Sequence, residues 1–125
     1  MAHLNPEIQK KLEVVATEVV AAHATAVDRD AVFPKASMDA LAAAGFYGLI
    51  GAREIGGMGQ GPGAAALVVL RIARECGSTG MVLAMHYAGT AVIEKHGAEA
   101  IRRDILAGRH MSTLAFSEAG SRSHF

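Results

Sequence analysis

The sequence predicts an all-α domain that passes into a single short strand at its end. Apolar residues recur at helical spacing in five successive segments up to residue 108, whereas a two-residue period that sets hydroxyls and apolar groups on the two faces of a short strand is read once, from Met111 to Glu118. Glycine and proline sit at the borders of those segments, where helices start and stop, and no internal repeat or low-complexity linker interrupts them. The expected division is a helical domain over residues 1–110 and the opening of a β-domain over residues 111–125.

Each element has its own signals. Asn5 caps a first helix with Pro6 in its first turn, and Ile8, Leu12, Val15 and Val19 follow on one face before the helix fades near Asp28-Arg29-Asp30. A second helix opens at Phe33-Pro34 and buries Met38, Leu41 and Ala42. It ends at Gly45, a natural left-handed C-terminal residue ahead of apolar Phe46. A third starts after Gly61-Pro62-Gly63 and carries Val68, Val69, Ile72, Ala73 and Cys76 on its stripe. The fourth occupies the uncharged run from Cys76 to Ile93, with Ser78 or Thr79 as its cap and Gly97 as its stop. Ala98 to Ala107 form a fifth, with Ile101 and Ile105 inward and Gly108 closing it. The third and fourth are apolar over more than a core stripe, so they call for a cover: the remaining domains of the same protein or a second copy in a homo-oligomer.

Composition removes several classes of function. Lys and Arg total 12 against 12 Asp and Glu, a formal net charge of zero, so no long-range field favours nucleic acid or an anionic membrane. A chain of 125 residues reads as one domain able to bury a core. The one cysteine, Cys76, cannot pair within the chain and has no metal-ligand spacing around it, so no metal site is expected. It fits a small buried residue in a reducing cytoplasm. The start, Met1 to Pro6, lacks the basic region and apolar core of a targeting peptide. Within the uncharged run, Gly77, Ser78, Thr79, Gly80, His86, Gly89 and Thr90 argue against a membrane span and for a helix buried on most sides.

Two segments invite a chemical reading. Gly59, Gly61 and Ala64 meet the loose glycine pattern of dinucleotide-binding turns. No buried strand leads into them, however, and Glu75 comes too early to read a ribose, so a permissive helix connector is the expectation. In the terminal run, Met111, Thr113, Ala115 and Ser117 alternate with Ser112, Leu114, Phe116 and Glu118. A lone strand cannot pair with itself, so its partners are expected from sequence beyond Phe125 or from another chain.

Taken in order, Phe33-Pro34, Ala44-Gly45-Phe46-Tyr47-Gly48-Leu49-Ile50, Glu54-Ile55-Gly56-Gly57-Met58-Gly59, Ala73-Arg74-Glu75-Cys76-Gly77-Ser78-Thr79-Gly80 and Ala115-Phe116-Ser117-Glu118 resemble the amino-terminal part of the acyl-CoA dehydrogenase family. The resemblance covers nearly the whole chain and about the first third of such an enzyme. It implies an all-α amino-terminal domain, a small central β-domain and a carboxy-terminal four-helix bundle, in homotetramers with one FAD per subunit. It further implies that Leu114, Ala115, Phe116 and Ser117 line the flavin, with the Ser117 hydroxyl near the reactive nitrogen edge, and that Ser123 meets the cofactor phosphate and the thioester. A strand end rich in small and hydroxylated residues suits a planar ring that approaches the backbone.

The implied substrate is an acyl-CoA, oxidised to the 2,3-enoyl-CoA, with an electron-acceptor flavoprotein as a further partner. A carboxylate removes the α-proton while the β-hydrogen passes as hydride to flavin. The resemblance places that base in the carboxy-terminal bundle, so no catalytic residue is expected here and this chain alone is expected to be inactive. Glu54, Glu75 and Glu94 read as surface charges. The same family's fourth helix borders the acyl pocket, so His86 and Thr90, one turn apart, are expected to face the substrate. The alternative is a histidine hydrogen-bonded at a domain contact. The chain departs from the family pattern at Ala119, Arg122 and His124. Two other functions fit the residues: a reduced-flavin monooxygenase of the same fold, and a non-enzymatic helical interaction module.

Overall fold

Helix follows helix in a computed structural model that describes residues 3–115 and Gly120. Asn5 Oδ1 accepts the Glu7 N–H at 2.8 Å, and Pro6 opens α1 (Pro6–Val14). The chain continues unbroken through a π-helical stretch, Val15–Val20, into α2 (Ala21–Asp30). There the Ala21 N–H reaches back five residues to the Ala16 carbonyl. A π-turn holds an extra residue, so the inward face slips by about one position. Ala16 and Val20 are therefore fully buried, while Val19, expected inward from the regular spacing, is only half-buried.

α3 (Lys35–Ala43) buries Ser37, Met38 and Leu41, and Gly45 stops it with φ 87 as its N–H bonds the Ala42 carbonyl. A 3-10 turn, Phe46–Gly48, then carries Phe46, Tyr47 and Leu49 into the core. α4 (Pro62–Glu75) and α5 (Gly77–His96) form a hairpin whose only break is Cys76. Gly80 lets them close: a Cβ there would stand 2.7 Å from the Ala73 Cβ. Leu12, Val20, Leu41, Val68, Ile72 and Leu83 meet in one buried cluster drawn from these elements. Arg71 of α4, paired with Glu13 at 2.9 Å and Glu75 at 2.8 Å, ties α4 to α1. Its guanidinium holds the Glu13 carboxyl below the usual carboxylate range.

Several expectations are corrected. Neither Ser78 nor Thr79 caps α5; the backbone of Cys76 leaves α4 in an extended conformation, so both residues already lie inside the first turn and Thr79 is fully buried. α4 buries a narrower stripe than expected, with Val69 half-buried and Ala73 exposed. α6 (Glu99–Leu106) buries Ile105 but leaves Ile101 39% exposed. It docks through its last turn, where Leu106 sits on the glycine backbone: a Cβ on Gly48 would meet Leu106 Cα at 3.1 Å. Residues 111–115 form no strand, since no described segment supplies the ladder a strand requires. The rest of that expected strand lies outside the described residues. Among the described residues no helix is long and apolar enough to cross a membrane. Leu70 of α4 and Met81 and Val92 of α5 stand exposed on outer faces, the surplus apolar surface read from their sequence.

Candidate functional site

The glycine-rich connector spends its amides on itself. The N–H groups of Gly57, Met58, Gly59 and Gln60 donate to the carbonyls of Ala52, Gly48, Gly51 and Leu49 at 2.9, 2.9, 2.8 and 2.9 Å. A phosphate cradle needs such donors free and aimed outward, preceded by a strand. Here they fold the loop back on the turn that follows α3, which is the connector the sequence suggested.

Glu94 anchors the same loop. It accepts the Ala52 N–H at 3.2 Å and pairs with Arg102 at 2.9 Å, its side chain 15% exposed. Reading it as a plain surface charge was therefore an error: it joins α5, α6 and the loop. Glu75 is likewise held by Arg71, whereas Glu54 is exposed as expected.

On the inward side of α5, His86 gathers three parts of the chain. Its Nδ1 accepts the Ser112 N–H at 3.1 Å and its Nε2 lies 3.0 Å from the Tyr47 carbonyl. A backbone amide can only donate and a carbonyl can only accept, so the ring is neutral with its proton on Nε2. The Thr90 hydroxyl stands 3.4 Å from Nε2, and the Tyr47 and Tyr87 rings flank the imidazole at 4.5 and 5.8 Å. His86 and Thr90 are both fully buried. Burial holds the His86 pKa below its ordinary value, partly opposed by the Tyr47 carbonyl and aided by the charge of His110. The structure thus unites His86 and Thr90, but turns them toward the turn at Tyr47 and the segment at Ser112.

That segment lies directly on the helix. A Cβ on Gly89 would meet the Thr113 carbonyl oxygen at 2.9 Å and its carbonyl carbon and nitrogen at 3.0 Å each. Ser112 and Leu114 are half-buried while Met111, Thr113 and Ala115 are exposed, so the alternation read in the sequence survives as alternating burial. Met81, Val82 and Met85 of α5, with Met111, Ser112 and Thr113, line a shallow apolar hollow of about 230 Å³. Phe116, Ser117 and Ser123 lie outside the described residues; Leu114 and Ala115 are the two expected flavin-lining residues that the structure places. Tyr47, Gly89 and Ser112 were missed. The spacing of His86 and Gly89 on one helix face was their only trace, and it has no meaning until the crossing segment is known.

Tyr87 adds a buried tie, its hydroxyl donating to the Phe46 carbonyl at 2.9 Å while burial pushes its pKa up. That carbonyl also accepts the Leu49 N–H at 3.3 Å. Tyr87→Phe therefore leaves no orphaned acceptor and is expected to lose about 0.5–1.5 kcal/mol in a urea unfolding series. A loss of nothing would show that this bond is absent in solution.

The family model for the acyl-CoA dehydrogenase N-terminal domain matches residues 5–109, and the chain belongs to that family. It is 32% identical over 121 residues to a protein of Mycobacterium leprae named probable acyl-CoA dehydrogenase fadE25, covering 92% of this chain and 31% of that one. Proteins of the same name from Mycobacterium bovis and Mycobacterium tuberculosis are 31% identical over 121 residues. The chain thus spans 31% of the length of the curated relatives it matches.

Proposed function

We propose that this chain is the helical amino-terminal part of a flavin-dependent acyl-CoA dehydrogenase, oxidising an acyl-CoA thioester to the 2,3-enoyl-CoA. The observation that carries the reading is the family match over residues 5–109, running up to a segment seated across α5 beside an apolar hollow. The proposed division remains a helical domain over residues 1–110 and a β-domain opening at 111.

The described residues fit a flavin. Thr113 and Ala115 are small and exposed on one side of their segment, which leaves room for a flat ring to approach the backbone. Leu114, Ala115, Phe116 and Ser117 are proposed to line FAD, and Ser123 to meet its phosphate and the thioester. FAD, when bound, supplies the hydride acceptor for the substrate β-hydrogen. This chain contributes the wall: Met81, Val82 and Met85 offer an apolar surface to an acyl chain and exclude water from it. His86 stands behind that wall and acts on the site through the backbone it holds, with the Thr90 hydroxyl against its ring. Glu13, Glu75 and Glu94 are each engaged by arginine, so none is poised to take the α-proton. The proposed base lies outside this chain, as the family resemblance implies. The surplus apolar faces of α4 and α5 suit the remaining domains or a second subunit, and an electron-acceptor flavoprotein would take up the electrons in a cytoplasmic setting.

In the protein at its native length, Ser117→Ala is expected to weaken flavin binding by about 0.5–1.5 kcal/mol, the worth of one neutral hydrogen bond, without unfolding the domain. Flavin titration of the stripped protein measures this. Unchanged affinity together with an unchanged flavin potential would remove Ser117 from the site.

A further inference from the structure

We infer that His86 and Gly89 form a seat on α5 that fixes where the backbone of Ser112 and Thr113 crosses the helix, and with it where the flavin-lining segment begins. The seat itself stands on geometry; its consequence for flavin rests on the function proposed above. Two independent observations define it. One is polar: the Ser112 N–H ends on His86 Nδ1 at 3.1 Å, and the ring is held from its far side by the Tyr47 carbonyl at 3.0 Å. The other is steric: three backbone atoms of Thr113 come within 2.9–3.0 Å of the place a Gly89 Cβ would occupy. Gly89 lies inside a twenty-residue helix, where glycine is unfavourable unless a close approach requires it. His86 and Gly89 stand three residues apart on one face, so both act on the same short stretch of chain.

His86 and Gly89 are positioning residues in this arrangement, and the ligand touches neither. The seat works in one protonation state. A proton on Nδ1 would set an N–H against the Ser112 N–H and cancel the bond. The titratable groups facing the ring are Tyr47 from the 3-10 turn, Tyr87 on its own helix and His110 from the segment after α6, with the Thr90 hydroxyl beside them. Among the described residues no carboxylate pairs with the ring, so nothing there compensates a charged imidazole. His86 is neutral in the folded chain and titrates at about 6.5 when unfolded. Its contribution to stability is thus complete above that pH and is lost as pH falls below it.

The experiment is amide hydrogen exchange at Ser112 by NMR in the native-length protein, with flavin affinity measured on the same samples. His86→Gln keeps a donor near the Tyr47 carbonyl but offers Ser112 no acceptor; His86→Asn keeps an acceptor close to the Nδ1 position. The Ser112 protection factor is expected to fall ~10-fold or more in His86→Gln, to recover in His86→Asn, and to fall in Gly89→Ala, where the ring is intact but Thr113 is displaced. Flavin should bind more weakly in His86→Gln and Gly89→Ala and regain affinity in His86→Asn. In the unaltered protein, Ser112 protection should drop only at a pH below the ordinary histidine range, where the buried ring takes a proton, while the α5 amides stay protected, a readout that survives even if a variant does not fold. Equal Ser112 protection in the unaltered protein and in folded His86→Gln would overturn the seat, as would weaker flavin binding with Ser112 protection untouched. Intact Ser112 responses in a protein that takes up no flavin would instead leave the seat standing and defeat the flavin reading.

Discussion

Phe46→Ala is expected to remove about 3–5 kcal/mol of unfolding free energy, among the largest effects of any single side chain here. The ring is fully buried, and it enters the core on a 3-10 turn of three residues that Gly45, at φ 87, delivers from the end of α3. So short a turn has little hydrogen bonding of its own, and its place is set by what it buries. Truncation removes the ring's transfer free energy and leaves a void that the flanking Tyr47 and Leu49, themselves buried, cannot fill without moving. Because Tyr87 and His86 bond the carbonyls of Phe46 and Tyr47, the loss should spread to α5. Urea unfolding checks the size, with the midpoint displaced and the slope unchanged. A cost below about 1 kcal/mol would mean that Phe46 is not in the core.

Leu83→Ala and Met81→Ala should part company. Both sit in α5, a helix apolar enough that sequence alone does not choose its inward face. Leu83 is fully buried in the cluster shared with α4, while Met81 is 65% exposed. The expected losses are about 2–5 kcal/mol for Leu83→Ala and within about 0.5 kcal/mol for Met81→Ala. Similar costs at the two positions would show that α5 is rotated from the orientation described, and the hollow at Met81, Val82 and Met85 would disappear with it.

The helices were legible because their ends carry residues with one physical use. Asn5 has a side-chain acceptor for an orphaned amide, Pro6 suits a first turn, and Gly45 and Gly108 take positive φ. What stayed hidden depended on partners distant in sequence. The π-turn at Val15–Val20 has no marker of its own among β-branched residues that also suit a regular helix, so Val19 was placed inward in place of Val20. Ile101 and Ile105 are four apart and look equivalent, yet α6 docks only through its last turn. The candidate site was half legible: His86, Thr90, Leu114 and Ala115 were singled out, but a histidine's role is set by what meets its two nitrogens. Those partners, Tyr47 and Ser112, lie 39 and 26 residues away. The glycine-rich stretch shows the reverse case, in which a motif fits a pattern while its amides are used within the loop.

The measurement that bears most directly on the central claim is the visible absorbance of the purified native-length protein, recorded without oxygen before and after addition of an acyl-CoA thioester. If the protein is the proposed dehydrogenase, with flavin along residues 114–117, it should show a bound-flavin spectrum that bleaches when the thioester is added. A folded protein that carries no flavin and takes up none from added FAD would contradict the account.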